Sequence, residues 1–200
     1  MSVRRFLSDA WCRLRYPQLS VSFAITSHLT YRERVALYET ARRPGIRSIV
    51  EIGSYMGASA AAFARGLRDA GNGTAHVHCV DTWNNDAMSD GPRDTMQAFL
   101  DNTRSFGDAI VPQRGWSTEV AALIASAAAP IDVLFVDGDH SYQGCLADWQ
   151  AYAPLLAPEA WVAFHDVGWA EGVQRVVAEF VRPRAKYAQQ LPNLWCGQLR

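Results

Sequence analysis

The chain has 200 residues, of which 49% are hydrophobic and 20% are charged, close to the usual values for a globular protein. Its 200 residues are enough for one α/β domain with short additions and too few for two ordinary domains. A formal net charge of −1 argues against a protein that binds nucleic acid through a broad basic surface. A protein that acts on small molecules fits this nearly neutral charge better, and no nucleic-acid partner is expected.

The four cysteines are scattered without a Cys-x-x-Cys pair, which argues against a structural zinc site and a disulfide framework. Scattered cysteines without a disulfide pattern are typical of proteins in a reducing compartment, so a cytoplasmic location is expected. No apolar run reaches the length of a membrane span, and no apolar segment of signal-peptide type follows the first arginines. The first 20 residues carry four arginines against one acid, Asp9. This basic segment is interpreted as a helix that covers the domain or dimerises, with membrane contact as the alternative.

Beyond this start, predicted strands and helices alternate. Thr30 and Glu33 have the spacing of a capping box, and Pro44-Gly45 ends the helix that they open. Strands are predicted from apolar and β-branched runs at residues 47–52, 75–80, 109–113, 131–136 and 161–164. Helices are predicted at residues 57–70, 92–100, 118–128, 142–156 and 170–181.

Continuously apolar strands separated by helices indicate a parallel sheet covered on both faces. A closing hairpin is predicted at residues 185–191 and 194–199. The fold class is therefore predicted as α/β, a Rossmann-like doubly wound sheet, mostly parallel, with a C-terminal antiparallel hairpin. Residues 1–45 are assigned to an N-terminal helical extension and residues 46–200 to the domain itself.

The segment after the first predicted strand reads EIGSYMGAS over residues 51–59. In open α/β sheets, ligands bind in the crevice beyond the carboxyl ends of the strands, where this segment lies. Gly53 permits a tight turn, and Gly57 lets the next helix begin close to a ligand. The Gly-x-x-x-Gly spacing differs from the Gly-x-Gly-x-x-Gly of nicotinamide enzymes. A tight strand-to-helix turn without a ligand is the alternative.

Two further segments follow neighbouring strands. Asp81 ends the second predicted strand and can accept both hydroxyls of a ribose, while Trp83 beside it could stack on an adenine or cover it. Trp116 and Ser117 follow the third strand. The alternative for either tryptophan is an exposed surface position. Together with the first loop, these segments predict a nucleotide-like ligand at this edge of the sheet.

The pattern acid-x-Gly-x-x-x-Gly resembles the first motif of class I S-adenosylmethionine-dependent methyltransferases, which usually contact the adenine ring after their third strand. The resemblance implies that the loop wraps the amino-acid part of S-adenosylmethionine, with Glu51 near the ammonium group. The positions carried over as cofactor contacts are Glu51, Gly53, Ser54, Gly57, Ser59, Asp81, Thr82, Trp83, Trp116 and Ser117.

The most distinctive segment is VDGDHSY at residues 136–142, which places Asp137 and His140 at the end of a buried strand. The next strand ends at His165 and Asp166. Neighbouring parallel strands lie about 4.8 Å apart, so two such strand ends can share one ligand or ion.

VDGDHSY and the later FHD resemble one branch of class I methyltransferases, which includes macrocin-type sugar O-methyltransferases and cephalosporin hydroxylase-like proteins. The resemblance covers residues 46–182 and implies a divalent metal, Mg²⁺, Mn²⁺ or another, on Asp137, His165 and Asp166. The position of His165 is commonly an acid in that branch. Imidazole suits Mn²⁺, Fe²⁺ or Zn²⁺ better than Mg²⁺.

A mechanism follows from the sulfonium donor, because a hydroxyl acceptor must lose its proton during transfer. The resemblance implies His140 as the base, and its unperturbed pKa of about 6.5 suits that role. Asp137 is predicted as a second catalytic residue. Asp139 could orient His140 or cap the following helix together with Ser141. The expected acceptor is a hydroxyl of a small molecule or sugar, in a pocket shaped by residues 86–93 and the N-terminal helices. Exposed apolar surface on the first two helices would support a homodimer.

Two rival functions stay open at this point. A nucleotide-dependent oxidoreductase is disfavoured because Gly-x-Gly-x-x-Gly is absent and Lys186, the only lysine, is not part of a Tyr-x-x-x-Lys pair. A binding module could keep the cofactor pocket without catalysis. Whether Asp137, His140, His165 and Asp166 converge beside the methyl donor distinguishes that module from an enzyme.

Overall fold

The computed structural model describes residues 3–85 and 91–200, so the centre of the predicted loop at 86–93 lies outside the described residues. Its helices are α1 (Val3–Arg15), α2 (Ser20–Ala24), α3 (Tyr31–Ala41), α4 (Ala58–Asp69), α5 (Met96–Thr103), α6 (Ser117–Ala128), α7 (Tyr142–Tyr152) and α8 (Glu171–Val176). Its strands are β1 (Ser48–Ile52), β2 (His76–Asp81), β3 (Ile110–Arg114), β4 (Ile131–Val136), β5 (Leu156–His165), β6 (Ala185–Gln190) and β7 (Leu194–Leu199). Within the described ranges, no helix has the length and apolarity needed to cross a membrane.

The seven strands form one sheet in the order β3-β2-β1-β4-β5-β7-β6. Strands β1 to β5 are parallel, and β7 lies antiparallel between β5 and β6. The predicted mostly parallel sheet with a C-terminal antiparallel hairpin is confirmed. The strand order reverses between β1 and β4, which is where open α/β sheets bind their ligands.

Successive side chains of the central strands enter two different apolar cores, as the pleat of a strand requires. Ile49 and Val133 belong to one core, whereas their neighbours Val50 and Leu134 belong to the other. Helices α3, α4 and α5 cover the first core through Leu37, Phe63 and Phe99. Helices α6, α7 and α8 cover the second core through Ile124, Trp149 and Val173.

The N-terminal helices pack against the domain. The predicted capping box is present: the Glu33 amide donates to Thr30 Oγ1, and Glu33 Oε2 accepts from the Thr30 amide at 2.6 Å. Gly66 lets α4 approach α3, since a Cβ there would overlap the Tyr38 carbonyl oxygen. The buried Arg34 donates to the Leu29 carbonyl oxygen and fixes the preceding turn.

The boundary between α7 and β5 differs from the prediction of a helix over residues 142–156 and a strand over 161–164. Helix α7 ends at Tyr152, and β5 already begins at Leu156. Pro158 lies inside β5, where the pairing with β4 is irregular between Ile131 and Val133. A proline that lacks a ladder N–H is tolerated at such an irregularity.

Candidate active site

The loop between β1 and α4 is shaped by two glycines in the left-handed region, Gly53 with φ +85° and Gly57 with φ +88°. A Cβ at Gly53 would overlap the Asp137 carbonyl oxygen, and one at Gly57 would crowd Thr103 and Phe99. Glycine is therefore required here because the loop packs against the end of β4 and against α5. The close approach of a ligand at Gly57 stays a prediction.

Glu51 lies in β1 with its side chain fully buried. Within the described part of the chain, neither of its carboxylate oxygens has a hydrogen-bond partner, and neither does the buried Ser54 hydroxyl. Burial raises the pKa of Glu51 to about 7, although the nearby Ser59 and Ser54 oppose this rise. Unpaired buried polar atoms are costly, so this pair is suited to a ligand that brings donors or positive charge.

Asp81 ends β2 and joins it to the glycine loop. Its Oδ2 accepts hydrogen bonds from the backbone amides of Ser54 and Tyr55, both at 2.8 Å. Its Oδ1 accepts from the Trp83 amide at 2.6 Å, and Thr82 Oγ1 accepts from the Asn84 amide at 3.3 Å. Asp81 thus holds the loop in place, while ribose binding by this residue stays a prediction.

The two tryptophans predicted beside the cofactor occupy opposite environments. Trp83 is fully buried, packs on Phe99 and donates from Nε1 to the Tyr55 carbonyl oxygen at 3.0 Å. The alternative of an exposed surface position is therefore wrong for Trp83, because its indole ring is a core side chain, while stacking on the adenine or covering it stays a prediction. Trp116 is 58% exposed before α6, and the hydroxyl of the next residue, Ser117, donates to Asp148.

The ends of β4 and β5 bring the predicted catalytic side chains together. His140 Nε2 lies 2.7 Å from Asp166 Oδ2. One ligand atom each of Asp137, His140 and Asp166 lies within 4.8 Å of the others. Asp166 has φ +61°, a left-handed conformation that is uncommon outside glycine and is concentrated at functional sites.

His165 lies behind this group, with 1% of its side chain exposed. Its Nδ1 is 3.0 Å from Asp137 Oδ1 and 3.3 Å from Asp166 Oδ1, and its Nε2 is 3.7 Å from Glu33 Oε2. Among the described residues, the group that could hold an ion consists of Asp137, His140 and Asp166. The metal set of Asp137, His165 and Asp166 stays a prediction, with the His165 ring enclosed by the carboxylates that it contacts.

The four side chains shift one another's ionisation. Burial lowers the pKa of His165, but Asp137, Asp166 and Glu33 outweigh it and raise that pKa to about 12. The hydrogen bond with Asp166 raises the pKa of His140 against the effect of burial. Burial raises the pKa of Asp166, yet the two histidines more than reverse this and lower it. Two imidazoles and two carboxylates thus form one coupled cluster.

Three further residues contact this cluster, and these contacts were not predicted from the sequence. Glu33 was assigned only to a capping box, yet its carboxylate also reaches His165. Asn193 Nδ2 donates to Asp166 Oδ1 at 2.8 Å, and Trp169 Nε1 donates to the same oxygen at 2.7 Å. Trp169 is 63% exposed and meets the His140 ring edge-to-face at a centroid distance of 5.1 Å. No local motif signals these long-range contacts.

Asp139 and Ser141 serve the start of α7. Ser141 Oγ accepts from the Gly144 amide at 3.0 Å, and Asp139 Oδ1 accepts from the Ser141 amide at 2.7 Å. Ser141 is thus the N-cap of α7, and Asp139 fits a part in the helix N-terminus by binding the amide of that residue.

Comparison with known protein families assigns the chain to one of them. Residues 50–167, more than half of the chain, match the family model described as a methyltransferase domain. The chain belongs to this methyltransferase family. The match confirms the class I methyltransferase that was predicted from the sequence.

Similar proteins include one sequence relative and solved structures of the same fold. The uncharacterized protein y4gI of Sinorhizobium fredii is 30% identical over 157 residues, which are 75% of this chain and 17% of that protein. The O-methyltransferase of Bacillus cereus in complex with SAH (S-adenosylhomocysteine) has a TM-score of 0.70 at 15% identity, covering 100% of this chain and 92% of that one. MycE of the mycinamycin biosynthetic pathway, in complex with Mg, SAH and mycinamycin VI, has a TM-score of 0.59 at 13% identity. That match covers 96% of this chain and 54% of MycE. At such identities the two structures show the fold.

Proposed function

We propose that this methyltransferase transfers the methyl group of S-adenosylmethionine to a hydroxyl group of a small molecule, with sugars among the candidate acceptors. The observation that carries the proposal is the contact of His140 with Asp166 beside Asp137, at the carboxyl edge of β4 and β5. This cluster lies next to the glycine loop, because Gly53 packs directly on the Asp137 backbone. A cofactor loop and a proton-accepting group therefore share one crevice, which supports an enzyme over a cofactor-binding module.

The residues of the loop fit S-adenosylmethionine. Glu51 and Ser54 present buried polar atoms without partners, which a ligand ammonium group would satisfy. The backbone of the loop would hold the amino-acid part, with Asp81 and Trp116 towards the nucleoside. When bound, S-adenosylmethionine supplies an electrophilic methyl group on a positively charged sulfur. The Bacillus cereus enzyme of the same fold is a complex with SAH, which supports this choice.

His140 moves the proton in this proposal. Its Nε2–H donates to Asp166 Oδ2, which leaves the Nδ1 lone pair free to accept the proton of the acceptor hydroxyl. Asp166 is itself held by Asn193 and Trp169, so the imidazole has a fixed partner. About one third of the His140 side chain is exposed, at 34%, which leaves room for an acceptor.

A divalent cation is the second candidate for activating the hydroxyl. Asp137, His140 and Asp166 offer two carboxylates and one imidazole, a donor set that suits Mn²⁺, Fe²⁺ or Zn²⁺. When bound there, the ion would supply Lewis acidity that lowers the pKa of the hydroxyl. His165 would then orient Asp137 from behind. The Mg in the MycE complex supports this candidate.

The proposal is tested by calorimetric titration with S-adenosylmethionine and by transfer of its labelled methyl group to a panel of glycosides and phenols. Saturable binding and labelled products are expected. His140→Gln should lower transfer by about 10²–10⁴-fold, the usual contribution of a general base, with binding retained. Binding without transfer to any acceptor would favour the cofactor-binding module, and no binding at millimolar cofactor would refute the proposal.

A chelator separates the two ways of activating the hydroxyl. If His140 acts as the base, dialysis against a chelator leaves the rate unchanged. Loss of activity that Mn²⁺ restores would instead assign the step to a cation on Asp137, His140 and Asp166.

A further inference from the structure

Helix α1 is amphipathic, but its apolar side faces away from the protein. Leu7, Trp11 and Leu14 are 61%, 53% and 84% exposed, and their spacing places them on one face of the helix. Cys12 is fully buried and packs in a third apolar cluster, which also contains Leu19, Phe23 and Tyr38. The outward stripe of Leu7, Trp11 and Leu14 is therefore separate from the face that holds α1 on the domain.

Among the α1 side chains that the structure describes, the packed face is polar apart from Cys12. At about 100° per residue, Cys12 lies about 130° around the helix from the middle of the outward stripe. Ser8 and Asp9, which flank that side, are half-buried. A core-forming helix would have the reverse arrangement, with the leucines inward. A contiguous exposed apolar stripe of this kind marks an interaction surface.

The charge of α1 selects the partner. Its sequence holds Arg4, Arg5, Arg13 and Arg15 against Asp9, so four positive charges and one negative charge leave a net +3. The arginines stand at both ends of the helix. Parallel or antiparallel pairing of two α1 helices would thus bring arginines together, which is unfavourable. An anionic lipid surface is complementary to this charge.

We propose that α1 lies flat on an anionic membrane surface, with Leu7, Trp11 and Leu14 inserted at the boundary between headgroups and acyl chains. Leucine and tryptophan on one face with arginine beside them are typical of helices at the bilayer interface. The attachment is peripheral, since α1 has 13 residues and about 20 are needed to span a bilayer. It brings the methyltransferase to the membrane and is independent of the reaction that it catalyses.

The test is co-sedimentation of the full chain with vesicles of equal parts phosphatidylglycerol and phosphatidylcholine, and with vesicles of phosphatidylcholine alone. Wild type should pellet with the anionic vesicles only, and less as salt increases. Trp11→Glu and Leu14→Glu should each lower the vesicle-bound to free ratio by about tenfold or more, because each places a charge in the apolar stripe. Leu123→Glu is the matched control: Leu123 is 52% exposed on α6, and its variant should bind like wild type.

Circular dichroism melts establish that the variants are folded, which is expected because the changed side chains are exposed. Failure of wild type to pellet at low salt would overturn the proposal. So would equal losses in Leu14→Glu and Leu123→Glu. Light scattering that shows a wild-type dimer, dissociated by Leu14→Glu, would assign the stripe to a second copy of the chain.

Discussion

The two sides of the crevice are built differently. On the side of β1 and β2, Asp81 accepts three backbone amides, and the deeper Glu51 carboxylate has no hydrogen-bond partner among the described residues. On the side of β4 and β5, Asp137 and Asp166 both contact imidazoles. The first side is fixed by backbone and holds an unpaired acid, whereas the second is a network of paired side chains.

This difference determines what each side can accept. A buried carboxyl without a partner is stabilised by a cationic ligand, which suits the ammonium group of S-adenosylmethionine. On the other side, Asp137 and Asp166 already have imidazole partners, so this side is suited to accepting a proton from a bound hydroxyl. Binding and chemistry should therefore respond to different substitutions.

Among the substitutions that compare the two sides, the largest effect is expected from Asp166→Asn on the catalytic side. The rate of methyl transfer should fall by about 10²–10³-fold, because His140 loses the carboxylate that fixes its tautomer. Since the Asp166 contact raises the pKa of His140, and the base must be neutral, activity in wild type rises with pH through that raised pKa. In the variant this rise should move to lower pH, measured as the pH profile of kcat/KM.

The matched control for Asp166→Asn is Asp139→Asn, the same chemical change in a residue that binds the amide of Ser141, the N-cap of α7. Its rate and pH profile should remain those of wild type. Equal profiles for Asp166→Asn and wild type would remove the His140–Asp166 pair from the mechanism.

On the catalytic side, strand register explains why the proximity of two residues could be predicted from the sequence. Val136 pairs with Phe164, so the next residues, Asp137 and His165, must be neighbours at the sheet edge. Their convergence follows from two apolar runs and the geometry of parallel strands. The fold was predictable for the same reason, because continuously apolar strands alternate with helices.

What the sequence could not supply is the direction of individual side chains. His165 follows the alternation of Trp161 and Ala163, which face the core beneath α3, so its ring meets Glu33. Trp83 has φ +51°, and this conformation accompanies an indole ring enclosed in the core. Contacts between α3 and the end of β5 join residues far apart in the chain, and no spacing rule encodes them.

A smaller effect is expected on the cofactor side, from Glu51. Because its pKa is raised to about 7, the free protein holds a proton there at pH 6, and a bound ammonium group would release it. Affinity for S-adenosylmethionine should rise about tenfold between pH 6 and pH 8. Calorimetry in buffers of different ionisation enthalpy measures the released proton. Glu51→Gln should lose this contribution and report only the titration of the ligand; an unchanged pH dependence would contradict the role of Glu51.

The smallest effect is expected from Asp148→Asn, beside the Trp116-Ser117 turn, and it is a change in the free energy of unfolding. Asp148 accepts from Ser117, and burial raises its pKa to about 6 in spite of that hydrogen bond. Folding thus favours the neutral carboxyl: this contribution to stability is fully present below the ordinary Asp pKa of about 4 and is lost as pH rises from there to the folded pKa of about 6. At pH 8 the charged form is a cost, so Asp148→Asn should raise the free energy of unfolding by about 1 kcal/mol, with a much smaller gain near pH 4. Urea unfolding at both pH values measures this, and a variant destabilised at pH 8 would show that the charged carboxylate is needed to hold Ser117.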